Sequence, residues 1–188
     1  MHRYDHDLEE TAQSRLPYAV CLWALCAALL LGPSILVWIV RLSALLAHCD
    51  PGPGLCHGQP LGGGLRDTLA LAWVIGSNTT VALIIALISA ALALSVRKPL
   101  MASMGLLLFP ISAVILPITA VYVSTYDGCQ INEDGIGDCV LWGARMGMSF
   151  HQAAVAASNL SDTMPYSIAL ALMVGVVAFV FFRPKETR

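Results

Sequence analysis

The sequence predicts an all-α membrane protein, a four-helix transmembrane bundle with two disulfide-stapled external loops. Three observations carry that prediction. Hydrophobic residue types fill 57% of the 188 positions and charged ones 12%, about half the roughly 25% charge of soluble domains. Four long stretches are free of charge, and four of the six cysteines fall in pairs within the two longest intervals between those stretches. Such a composition excludes a disordered chain and a soluble globular enzyme. Ten Lys and Arg against twelve Asp and Glu leave no basic excess for nucleic acid.

The charge-free stretches hold 25 residues between Arg15 and Arg41, 29 between Asp67 and Arg97, 28 between Lys98 and Asp127, and 20 between Asp162 and Arg183. A spanning helix needs about 20 apolar residues. The predicted helices are therefore 17–41, 68–96, 99–125 and 163–182. They form one domain over 17–183, flanked by cytoplasmic tails at 1–16 and 184–188. Tyr18, Trp23, Trp38, Trp73, Tyr122, Tyr126 and Tyr166 fall near the helix ends, where amphipathic rings favour the headgroup region. Arg3, Arg15, Arg97, Lys98, Arg183, Lys185 and Arg188 share one side if the helices alternate. The positive-inside rule then puts both termini in the cytoplasm and the loops 47–66 and 126–162 outside. Acidic residues at Asp5, Asp7, Glu9 and Glu10 argue against a cleavable signal. The Leu- and Ala-rich style leans towards a bacterium, hence an inner membrane.

Cys21 and Cys26 lie within the first helix and read as small hydrophobes. Cys49 and Cys56 occupy the first external loop, Cys129 and Cys139 the second. Pairs confined to non-cytoplasmic loops imply disulfides in an oxidising space. Four cysteines allow three connectivities; pairing within each loop is the simplest, because Pro-Gly turns bring the ends of the first loop together. Four helices, cytoplasmic termini and a cysteine pair in each external loop resemble the layout of quinone-linked thiol oxidases. That resemblance implies redox cysteines, with Arg66 beside a quinone headgroup. Those enzymes carry a tight C-x-x-C at the mouth of the second helix. Here the first pair has six intervening residues and no C-x-x-C occurs, so the cysteines read as staples.

Several segments are candidate sites. The acidic run 129–139 resembles a calcium loop, in which Asn132, Asp134 and Asp138 would be the oxygen ligands; the competing reading is a disulfide-closed turn solvated by its own charges. Residues 140–160 place Trp142, Met146, Phe150 and Ala153 at helical intervals. That pattern suits an interfacial helix or a partner-facing one, with Trp142, Met146 and Phe150 as partner contacts. Ser77, Asn78, Thr79 and Thr80 form the most polar stretch inside a predicted span, and polar groups at that depth join helices or receive a partner. No predicted span holds an ionisable residue in its interior, and every carboxylate lies in a loop or tail. Ion-coupled carriers usually need such a residue. Pro33, Pro110 and Pro117 interrupt helices.

No catalytic or cofactor motif appears: there is no H-E-x-x-H, phosphate-cradling glycine loop or nucleophile elbow. The expected function is therefore binding without catalysis and without a cofactor. The partners would be membrane lipid and another membrane-embedded protein or toxin. Immunity proteins of channel-forming colicins are similarly small four-helix proteins with cytoplasmic termini, and that analogy implies a guard against a pore-forming toxin. An accessory subunit of a larger membrane complex and a thiol oxidoreductase are the alternatives.

Overall fold

The computed structural model describes residues 2–129 and 137–181, with side chains over 17–129 and 137–180. It is mostly helical. In chain order run α1 (His2–Leu46), α2 (Leu61–Gly76), α3 (Thr79–Ser95), α4 (Pro99–Tyr122), a hairpin of β1 (Val140–Leu141) and β2 (Ala144–Arg145), and α5 (Gly147–Phe181). Over their described residues, α1, α4 and α5 are each long and apolar enough to cross a membrane. The pair α2 and α3 passes the same test together, but is bent by 72° between Gly76 and Thr79.

Helix α4 packs against all four other helices, and its prolines show how. A proline has no N–H to give the carbonyl four residues back, so Pro110 strips Leu106 O of its helical donor and Pro117 does the same to Ala113 O. Ser167 Oγ on α5 donates to Leu106 O at 2.7 Å, and Ser34 Oγ on α1 donates to Ala113 O at 3.3 Å. Both serines are buried. Neighbouring helices thus resupply the bonds that a nonpolar surrounding cannot. Further along, Trp38 Nε1 donates to Leu116 O and Arg41 Nη2 to Val123 O. Ascending residues of α1 meet ascending residues of α4, so the two helices run in parallel. α5 returns antiparallel, with Phe150 in one core cluster beside Val121 and Ala171 in another beside Leu106.

Both disulfides, Cys49–Cys56 and Cys129–Cys139, and the hairpin gather where α1 and α4 end. At the other end, Ala19, Val20 and Trp23 of α1 line a cavity with Val96, Lys98 and Met101 around the α3–α4 turn. That turn is tight for a stated reason. Arg97 has φ 56°, Arg97 N–H donates to Leu94 O, and Lys98 N–H donates to Ala93 O, a Schellman ending. Pro99 then starts α4, where its missing N–H costs nothing.

The helix boundaries differ from the predicted ones. The first helix does not stop at 41; it runs to Leu46, because Arg41 finds a carbonyl partner, and it ends in a second Schellman motif with His48 at φ 53°. Residues 2–16, predicted as a tail, continue that helix. The predicted helix 68–96 begins seven residues earlier and is broken in two. The predicted helix 99–125 closes at Tyr122. The predicted loop 126–162 contains the hairpin and the first half of α5, so the predicted helix 163–182 is the second half of a longer one.

Candidate functional site

The break between α2 and α3 is spelled in the chain as Gly76-Ser77-Asn78-Thr79-Thr80. Asn78 is the N-cap of α3, its side chain accepting from Val81 N–H at 3.3 Å. Ser77 Oγ bonds back to Trp73 O, and Ser77 N–H donates to the same carbonyl. Gly76 lies against Trp73 and Ala113 O, so a Cβ there would sit 3.1 Å from the indole. Thr79 and Thr80 differ from most of the helical hydroxyl residues among the described residues. Ser89, Ser95, Ser103, Thr119 and Ser124 all return their hydroxyls to a carbonyl three or four residues back. The two threonines follow the break and have no such helical carbonyl behind them. Their first-turn N–H groups and hydroxyls have no partner among the described residues.

Thr79 and Thr80 open into a cavity of about 140 Å³ that Pro110, Leu160, Thr163, Tyr166 and Ser167 also line. Its height is set by α4: Pro110 is the twelfth of that helix's 24 residues. The four residues singled out in the sequence therefore divide. Ser77 and Asn78 are consumed in forming the break, while Thr79 and Thr80 face an opening at half the height of α4.

The adjoining surface of α5 overturns one expectation. Ser167 is level with Leu106 through its hydrogen bond, and the helices are antiparallel with a rise of about 1.5 Å per residue. Five residues back, Asp162 is level with Ile111, the middle of α4. It is exposed, as are Ser158 and Ser161, and Gln152 and Asn159 on the same half of α5 are half-buried. At this height α1 shows Ile35 and Leu36, and α4 shows Leu108 and Ile115. Asp162 was expected to end a loop; it lies inside a helix, roughly 18–20 Å from Lys98 at one end of α4 and from Val123 at the other. Sequence reasoning missed it because a carboxylate after a polar stretch looks like a boundary. The uninterrupted run 147–164, free of Pro and Gly after its first residue, was the available signal. A carboxylate at the centre of a bilayer costs about 3 kcal/mol on insertion scales.

Trp142, Met146 and Phe150 were expected to meet a partner. They lie instead inside the chain's own core, at 2%, 0% and 1% exposure, which removes them from any contact surface. Trp142 is not helical. With Gly143 it forms the turn of the hairpin, at φ 46° and 76°, the two left-handed positions a type I′ turn requires. Its N–H donates to Gly52 O at 2.7 Å and its Nε1 to Asp50 O at 2.9 Å. The Arg41 guanidinium stands 5.4 Å over its ring. Gly62 of α2 meets the same hairpin, so close that a Cβ would stand 2.5 Å from the carbonyls of Leu141 and Trp142.

The cysteines pair within each loop, Cys49 with Cys56 and Cys129 with Cys139, at Cα separations of 5.7 and 5.0 Å. The first ring carries the Asp50 and Gly52 carbonyls that hold Trp142. Cys56, Cys129 and Cys139 are buried in the core. Cys49 and Cys56 line a cavity of about 180 Å³ with His48, Asp50 and His57. Among the described residues no three His, Cys, Asp or Glu side chains come together to hold a metal. Of the predicted calcium ligands, Asp138 is exposed, and Asn132 and Asp134 lie outside the described residues. No family model, curated protein or solved structure matches the chain.

Proposed function

We propose that this chain is a non-catalytic, membrane-embedded binding protein whose site for another membrane-embedded protein is the polar surface at half height. In this reading the fold is a four-helix transmembrane bundle in which the broken pair α2–α3 is the second span. The positive-inside rule places both termini in the cytoplasm and the stapled loops outside. One observation carries the proposal: Thr79 and Thr80 present donors without a partner among the described residues to an opening at the middle of α4. Polar groups at that depth need partners, and donors left open by a broken helix are where membrane proteins receive them.

The sharpest form of this reading is an immunity protein of the inner membrane that holds the inserted helices of a pore-forming toxin and keeps the channel shut. A constitutive subunit of a larger complex is the same binding role with a permanent partner. The test is purification of a tagged chain from native membranes in mild detergent, beside a Thr80→Phe variant whose ring fills the opening. A stoichiometric membrane protein, or a toxin supplied during purification, held by the original chain and lost by the variant is the expected result. Recovery of both chains alone overturns the proposal. Protection of cells on expression separates the toxin guard from the permanent subunit.

A further inference from the structure

The exposed face of α5 at half height says what kind of partner fits, and this step rests on the binding role just proposed. Asp162 has no ion pair or hydrogen bond among the described residues, where the sole salt bridge joins Arg66 to Asp67. Pro165 gives no N–H to Ser161 O, so this carbonyl loses its helical donor on the same exposed stretch. The Ser161 hydroxyl is already committed to Ser158 O. The face therefore offers a carboxylate and a backbone carbonyl, both acceptors, at a height where the exposed residues of α1 and α4 include Ile35, Leu36, Leu108 and Ile115 and the half-buried Ser112 hydroxyl is already committed to Leu108 O. Ser161, Pro165 and Ala169 are exposed at intervals of four residues, small enough for another helix to approach closely.

We propose that this face of α5 docks a transmembrane helix of another protein that carries a lysine or arginine at its middle, paired with Asp162. A buried ammonium or guanidinium brings the charge and the several N–H donors the two acceptors lack. A second copy of this chain does not fit. Its described basic side chains stand at the two ends, Arg41, Arg66 and Arg145 at one and Arg97 and Lys98 at the other, so a copy would set Asp162 against no cation among the described residues. Lipid does not fit either, because acyl chains offer no donor.

The test uses the full chain in phosphatidylcholine vesicles and a synthetic Leu/Ala transmembrane helix with one central lysine, its association followed by energy transfer between labels. The expected result is at least tenfold stronger association than for the same helix with a central leucine. Asp162→Asn, which keeps size and removes charge, erases the preference, as does moving the lysine two turns towards either end. Equal association of the two helices, or a preference that survives Asp162→Asn, overturns the pairing. The melting temperature of Asp162→Asn shows that the fold is intact, and Asp162→Glu restores part of the preference. Suppose native membranes yield a partner lost with Thr80→Phe, yet no lysine preference appears: the pairing falls and the binding role stands. If the lysine preference depends on Asp162 while native membranes yield the chain alone, the pairing stands and the binding role falls.

Discussion

Ser167 supplies the hydrogen bond that Pro110 denies to its own helix. The proline removes the donor to Leu106 O, and the Ser167 hydroxyl, fifty-seven residues further on, takes its place at 2.7 Å. Ser34 and Pro117 repeat the arrangement between α1 and α4. In water a stranded carbonyl is solvated; among apolar helices it must be met by a side chain. The two prolines thus fix the heights at which α5 and α1 meet α4.

A double-mutant cycle tests this directly. Ser167→Ala leaves Leu106 O without a donor and should cost about 1 kcal/mol, the upper part of the range for hydrogen bonds between membrane helices. Pro110→Ala restores the helical N–H, so in that background Ser167→Ala should cost almost nothing. Unfolding in mixed micelles gives the four stabilities. A coupling near zero would show that serine and proline act separately.

Gly62 is the point where α2 meets the hairpin, and a methyl group there faces two backbone carbonyls at 2.5 Å rather than a yielding side chain. Gly62→Ala should lower stability by about 1–3 kcal/mol, as overpacking does. Gly63→Ala, with open space around it, should be neutral or slightly stabilising because alanine favours the helix. Melting temperatures of the two variants in one detergent settle the contrast.

The sequence made the apolar stretches and the cysteine pairs legible, because charge and thiol chemistry are local properties. Where a helix stops was less so. Arg41 reads as an end until Val123 O is known to receive it. The break at Ser77-Asn78 carried a readable signal, a glycine followed by an N-cap residue, but a long hydrophobic run outweighs it in any average. Trp142 was read as one rung of a helical stripe. Its left-handed backbone is imposed by a two-residue hairpin whose strands are too short to show alternation. Asp162 was read as a loop end because the 20 uncharged residues of the predicted helix 163–182 are enough for one span by themselves, so nothing in the chain demanded that the preceding stretch belong to the same helix.

The α3–α4 turn predicts an ordering of substitutions. Arg97 holds a left-handed conformation, which costs a non-glycine residue about 1 kcal/mol. Arg97→Gly should therefore raise stability by a few tenths to about 1 kcal/mol, and Arg97→Val should lower it by at least as much, since branching at Cβ resists positive φ. His48 should follow the same order at the end of α1. If glycine and valine prove equal at both positions, these endings do not hold the turns.

The Trp142 ring caps Arg41. Trp142 is held by two carbonyls inside the ring that Cys49 and Cys56 close, so the disulfide acts on the hairpin through Asp50 and Gly52. Opening that ring should cost about 2–3 kcal/mol for a loop of this size. It should also release the indole from its dry site, and Arg41 with it, since the guanidinium stacks on the same ring. Reduction by a dithiol should shift tryptophan emission to the red. The shift should be absent from Trp142→Phe and already present, without reductant, in Cys49→Ser. Cys129→Ser should leave emission nearer the original, because neither carbonyl that holds Trp142 lies in the second ring, which joins the strand ends through Val140 and Tyr126 instead. An emission change of equal size in Trp142→Phe would place the response at Trp23, Trp38 or Trp73 and disconnect the first disulfide from the hairpin.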